Sequence, residues 1–311
     1  MPLVFPRPEG HGIFDSLSLR QASAAGQRLL DLVFPPRCPG CGRLGVLFCD
    51  SCQAQIEPII PPVCRRCGHP TPEDGTGLSA RSFRAESPGP CGLPAYGERG
   101  LLAHGERGVA GAGFRDVLCE ACQATPSNLD GIKAVGIFAH PLREAIHALK
   151  YENCRGLAAP LGACMADAWS HAHPPADLLM PVPLHASRVA ERGYNQSALL
   201  ARILGSAARV PVVEGILVRQ KATLPQVGLS WHERRRNVSD AFVCRESMEG
   251  QRVVLVDDVC TTGATLEACA AALRDGGASS VWGFTLARPR REPGTPTPDA
   301  VQQTPGTQTG Y

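Results

Sequence analysis

The chain is 311 residues long and 43% hydrophobic, and its 31 basic and 29 acidic residues leave a formal charge of +2. That apolar content excludes a globally disordered chain, and the charge balance excludes a protein held to polyanions by a strong overall field. The length predicts one large domain with a smaller one, or two of medium size. No apolar run approaches the ~20 residues that cross a bilayer, and the opening MPLVFPRPEGHG lacks the basic-then-apolar pattern of a signal peptide. A soluble cytoplasmic protein is therefore expected. In a reducing compartment the 14 cysteines read as metal ligands or buried thiols rather than a disulfide framework.

Residues 16–34 place Leu17, Leu29, Leu30, Val33 and Phe34 among small and polar residues, which predicts an amphipathic helix ended by Pro35 and Pro36. Four C-x-x-C pairs follow: Cys38/Cys41, Cys49/Cys52, Cys64/Cys67 and Cys119/Cys122. The first and third are followed by glycine, while the second and fourth contain an acidic residue and are followed by glutamine. This is a repeated four-cysteine unit. Zn²⁺ takes four ligands in a tetrahedron, and each C-x-x-C turn presents two thiolates to it. Gly42 and Gly68 supply backbone freedom after the tight turns, and the acidic pairs can open short helices. Two closed, structural zinc sites are expected. Seven residues separate the pairs of the first unit and 51 those of the second. Residues 70–115 of that gap, rich in Gly, Pro, Ser and Arg, predict a flexible insertion, in which Cys91 is a free thiol or a substitute ligand.

From residue 131 the texture changes. Strands are predicted at 131–139, 177–183, 252–258 and 279–287, and helices at 141–151, 156–170, 195–204 and 264–275. Their alternation predicts a parallel sheet covered on both faces, with its ligand at the carboxyl ends of the strands. Beyond Pro289 the Pro/Thr/Gln/Gly-rich sequence predicts a disordered tail.

The segment VVLVDDVCTTGATL at 253–266 is the most informative. An apolar strand ends on Asp257 and Asp258, and Thr261, Thr262, Gly263, Ala264 and Thr265 lead into a helix. Such a loop offers unpaired N–H groups and a partial positive charge to a phosphate. It is not the nucleotide-hydrolase loop, since no lysine follows the glycine. The carboxylates must face sugar hydroxyls or a cation, and a phosphate beside a diol is a phosphorylated ribose.

This segment resembles the phosphoribosyl pyrophosphate motif of type I phosphoribosyltransferases. Together with IHALKY at 146–151, MPVPLHASRVAERGYNQSALLAR at 180–202, LPQVGLSWHERRRNVSDAF at 224–242 and the cysteine pairs, it is similar to the ComF family. The resemblance implies an α/β fold: a parallel-sheet phosphoribosyltransferase-like domain over 131–288, preceded by a double zinc ribbon over 38–125. Residues 1–37 form an N-terminal helix and flank, and 289–311 the tail. By the same resemblance Asp257 and Asp258 hold the ribose hydroxyls, and Thr261 to Thr265 cradle the 5-phosphate. The loop after Pro183, with Arg188, Arg192 and Asn195, faces pyrophosphate, and Arg234, Arg235 and Arg236 lie in a lid. Residues 181–240 carry nine basic and four acidic residues, which supports that picture. Lys150 either reaches a phosphate or ends a surface helix, and His185 and His232 lie near the proposed loops. Two functions are open: a Mg²⁺-dependent transferase acting on phosphoribosyl pyrophosphate, and a DNA-uptake factor that binds single-stranded DNA. The acceptor and any base-binding hood are not identifiable.

Overall fold

A computed structural model of the chain describes residues 35–59, 63–69, 118–171, 173–220 and 241–290. The expected helix at 16–34, the insertion at 70–115 with Cys91, His232, Arg234 to Arg236, and the tail from 291 lie outside these residues.

Two one-turn helices, α1 (Asp50–Gln53) and α2 (Glu120–Ala124), belong to the cysteine units, and each begins immediately after a cysteine that serves as its N-cap. The α/β half then runs β1 (Gly131–Ile137), α3 (Leu142–Tyr151), a 3₁₀ turn (Arg155–Leu157), α4 (Ala158–His171) and β2 (Leu178–Pro181). It continues through α5 (Ala186–Arg192), α6 (Gln196–Ala208), β3 (Leu217–Arg219), β4 (Phe242–Cys244), β5 (Arg252–Val259), α7 (Ala264–Asp275) and β6 (Ser280–Arg288). The main sheet has the order β1-β6-β5-β2, and every pairing is parallel.

Successive residues of β5 point to opposite faces. Val254 and Val256 enter a core with Leu142, Ile146 and Leu149 of α3, Leu161 and Met165 of α4, and Leu200 and Leu204 of α6. Val253 and Leu255 enter the other, with Leu266, Cys269 and Leu273 of α7 and Leu217 and Phe242 of the β3–β4 ribbon. Both faces are thereby buried, as an all-parallel sheet requires.

Two expectations need correction. The stretch after Pro183 is not a loop: Ala186–Arg192 is helical, but buries no residue, so it carries no apolar stripe for periodicity to detect. The antiparallel β3–β4 ribbon was not expected, because each strand contributes only three residues.

The cysteine module is joined to the sheet. Cys38, Phe48, Cys49, Cys52 and Ile56 belong to the same buried core as α3 and α4. The open edge of β1 is covered by residues 57–58, through the Ile137 amide donating to the Glu57 carbonyl at 2.8 Å and an antiparallel bridge between Pro58 and Gly136. Covering an edge in this way removes a row of unpaired backbone groups.

Candidate ribose-phosphate site and cysteine centres

The strand-to-helix turn after β5 has the geometry its sequence demands. Gly263 sits at φ +81°, a left-handed conformation that disfavours side chains, and is the N-cap of α7. The Ala264 amide donates to Thr262 Oγ1 at 3.3 Å. Among the described residues no hydrogen bond engages the amides of Thr261 or Thr262, and Thr261 is exposed. Two donors at a helix N-terminus are thus open to an anion.

Below this turn the two aspartates diverge in role. Asp258 is 2% exposed and pairs with Lys150 of α3, Nζ to Oδ1 2.6 Å. Its Oδ2 is buried with no hydrogen-bond partner among the described residues. Asp257 is only half-buried; its Oδ1 accepts from Ser197 Oγ at 2.7 Å and from the Asp258 amide at 2.9 Å. Burial works against the Lys150 charge, yet the Asp258 and Asp257 carboxylates outweigh it and hold the lysine pKa above its ordinary value. Lys150 is therefore no surface helix end but the counter-ion of the acid pair.

Burial, and then the Asp258 charge, push the Asp257 carboxyl up to about 7 against the opposing pull of Lys150 and Ser197. A carboxyl whose folded pKa lies above its unfolded value of about 4 favours folding in its protonated form. That contribution is complete below pH ~4 and is lost as the pH rises to about 7. Asp257→Asn should flatten the stability profile across this window, read as denaturant midpoints against pH. An unchanged slope would count against the assignment.

The other expected site residues are placed as follows. Asn195 caps α6: its Oδ1 accepts from the Ser197 amide at 3.0 Å and its Nδ2 donates to the Val182 carbonyl at 3.0 Å. Arg188 pairs with Glu191 at 2.9 Å on exposed α5, while Arg192 bonds Gln196 and lies 5.3 Å from the Tyr151 ring centroid. His185 caps α5, its Nδ1 3.3 Å from the Ser187 amide. Arg235 lies outside the described residues. Sequence reasoning missed Ser197, which follows the capping Asn195, and Arg219, which lies 5.5 Å from the Phe242 ring and interacts electrostatically with Asp257.

The eight cysteines form the expected two clusters, Cys38/Cys41/Cys49/Cys52 and Cys64/Cys67/Cys119/Cys122, with all four sulfurs of each within 4.8 Å of one another. Sulfur separations of 3.5 Å (Cys41 to Cys49) and 3.8 Å (Cys67 to Cys119) match the edge of a tetrahedron whose Zn–S bonds are about 2.3 Å. Gly42 and Gly68 have φ of +75° and +69°, which lets each knuckle close behind its metal ligands. Zn²⁺ fits both sets, and with no fifth donor in either it would act structurally. The second set is complete without Cys91. Its crowded thiols share protons: hydrogen bonding with Cys122 draws Cys119 down to about 6 and drives Cys122 up. Among the described residues no other group of three or more His, Cys, Asp or Glu side chains is placed to hold a metal.

Comparison with known proteins gives the class. Residues 29–92 match the model of a double zinc ribbon domain, and residues 189–302 that of a phosphoribosyl transferase domain. The fold is of the phosphoribosyltransferase type. Competence protein F of Haemophilus influenzae is 35% identical over 178 residues, covering 55% of this chain and 78% of that protein. The DNA utilization protein YhgH of Escherichia coli K12 is 33% identical over 175 residues, 55% of this chain and 77% of that protein. Competence protein ComFC of Bacillus subtilis is 36% identical over 114 residues, 36% of this chain and 44% of that protein. The chain belongs to the ComF family. Among solved structures, a glutamine phosphoribosylpyrophosphate amidotransferase from B. subtilis is 21% identical with a TM-score of 0.30, over 42% of this chain and 26% of that one. An adenine phosphoribosyl transferase from Trypanosoma brucei is 14% identical with a TM-score of 0.29, over 46% of this chain and 68% of that one. Likenesses at that level carry no argument beyond the family models and the strand order. No helix among the described residues is long and apolar enough to cross a membrane.

Proposed function

We propose that this chain binds phosphoribosyl pyrophosphate, or another ribose 5-phosphate ester, at the turn after β5. One observation carries the reading. The open amides of Thr261 and Thr262 and the unsatisfied Oδ2 of Asp258 lie on one short segment, donors for a phosphate and an acceptor for a hydroxyl. The 5-phosphate would rest on Thr261 to Thr265 at the start of α7. Asp257 and Asp258 would accept from the ribose diol, with Ser197 and Lys150 holding them in place. The diphosphate would extend toward Arg188, Arg192 and Arg219, and Mg²⁺ would arrive with it. Displacement at the anomeric carbon builds positive charge on the ribose ring, which the acid pair is placed to stabilise.

The test is calorimetry with phosphoribosyl pyrophosphate and Mg²⁺. Wild type should bind, and Asp257→Asn should bind at least about tenfold more weakly, the scale of one lost charge-assisted hydrogen bond. Absence of heat with wild type removes the reading. The single variant is preferable to a double one, because Asp258→Asn would also leave Lys150 without its partner.

A second reading, single-stranded DNA as ligand, is favoured by one surface feature. Tyr151 is 64% exposed, with the His147 ring 4.8 Å from its own and Arg192 beside it. An exposed aromatic beside an arginine is a unit on which unpaired bases stack, and the names of the relatives point to DNA handling. Fluorescence anisotropy with a labelled oligothymidine should weaken with added salt, and by about tenfold in Tyr151→Ala. An unchanged isotherm would exclude this surface.

A further inference from the structure

Arg288 closes β6 at the carboxyl edge of the sheet and is 2% exposed. A buried guanidinium is normally paired with a carboxylate, because an isolated buried charge is costly. Here the recorded partner is a backbone carbonyl: Nη1 donates to the oxygen of Cys67, a member of the second cysteine cluster. Nε is buried and has no partner among the described residues. The residue before it in β6, Ala287, holds the start of the ribose-phosphate turn. The Cys260 amide, at the start of the turn, donates to the carbonyl of neighbouring Ala287 at 2.9 Å. Cys260 is itself 3% exposed, feels the Arg288 charge, and accepts a hydrogen bond from the Gly263 amide. A path of bonded neighbours therefore runs from the second cysteine knuckle through Arg288, Ala287 and Cys260 to Gly263, the N-cap of α7.

Resting on the ribose-phosphate reading above, we propose that Arg288 is a positioning residue through which the second zinc knuckle sets the phosphate-binding turn, lending its buried charge, which no carboxylate among the described residues pairs, to the anion bound there. The arrangement explains why a metal ligand's carbonyl, rather than an acid, holds the arginine. A carboxylate would cancel the field, whereas a carbonyl fixes the guanidinium and leaves its charge in place. The knuckle's rigidity, imposed by its four sulfur ligands, then becomes part of the ligand site.

The experiment compares wild type with Arg288→Lys, which keeps the charge, and with Arg288→Gln and Arg288→Met, which remove it. Each is titrated with ribose 5-phosphate, with zinc content and a melting curve recorded. Both neutral variants should bind about tenfold more weakly and the lysine variant no more than about threefold, with two zinc per chain in all, one for each cluster. In ³¹P spectra the second deprotonation of the bound ester should move to higher pH in the neutral variants and stay near the wild-type value with lysine. Equal affinity in all four proteins, or equal losses with lysine and with the neutral residues, would overturn the proposal. Loss of the second zinc in every variant would reduce Arg288 to packing and overturn it equally. Wild type failing to bind ribose 5-phosphate is a different result, which removes the underlying reading instead.

Discussion

Lys150→Met should destabilise the protein by about 3–5 kcal/mol at neutral pH, the cost of leaving one member of a buried ion pair alone. The lysine side chain is 20% exposed and that of Asp258 3%, so neither group can turn to water for compensation. Nothing among the described residues replaces the lost donor, since Asp258 Oδ2 already lacks a partner. Lys150→Met/Asp258→Leu should recover at least half of the loss, because removing both charges also removes both desolvation penalties. The pH sign follows from the lysine. Its folded pKa is raised, so its stabilisation is fully present below the unfolded lysine value near 10.4 and is lost only as the pH climbs through the folded value. Urea midpoints across neutral and alkaline pH measure this. A Lys150→Met protein as stable as wild type would show that the pair carries no net energy. The same substitution should weaken ribose 5-phosphate binding, since Asp257 loses the cation that draws its carboxyl down.

The largest effect is expected at the first cysteine cluster. Cys38, Cys49 and Cys52 are each 1–2% exposed and share their core with Leu142, Ile146 and Leu149 of α3. Metal loss there would separate thiols that the metal holds together and loosen the packing of α3, which positions Lys150. Cys52→Ala should bind one zinc instead of two and lose more than about 5 kcal/mol, against the roughly 10–16 kcal/mol that structural zinc supplies to small domains. At about 2–4 °C per kcal/mol, the melting temperature falls by on the order of 10–20 °C. Metal analysis paired with calorimetric melting checks both. A variant that keeps its melting temperature after losing one zinc would mean the module folds on the sheet without metal.

Much of this was written locally. The C-x-x-C pairs are legible because a metal centre needs fixed short spacings, and the strand–Asp–Asp–loop–helix run because one contiguous segment forms it. The prediction of helix 264–275 matches α7 in both ends, since its apolar stripe and stopping glycines are continuous in sequence. Short elements outside the cysteine units were illegible: α5 buries nothing, and the strands of the ribbon are three residues each.

By itself the sequence determined which residues could bind metal, phosphate and ribose, since ligand type and local spacing are properties of the chain. Tertiary structure alone decided which charges meet. Lys150 was an equal candidate for substrate or solvent until the fold set its ammonium on Asp258. Arg288 stood one residue past the strand predicted at 279–287 until the fold extended that strand and laid a cysteine knuckle over it. Burial and long-range pairing depend on which faces of distant elements are pressed together, and no local pattern encodes that.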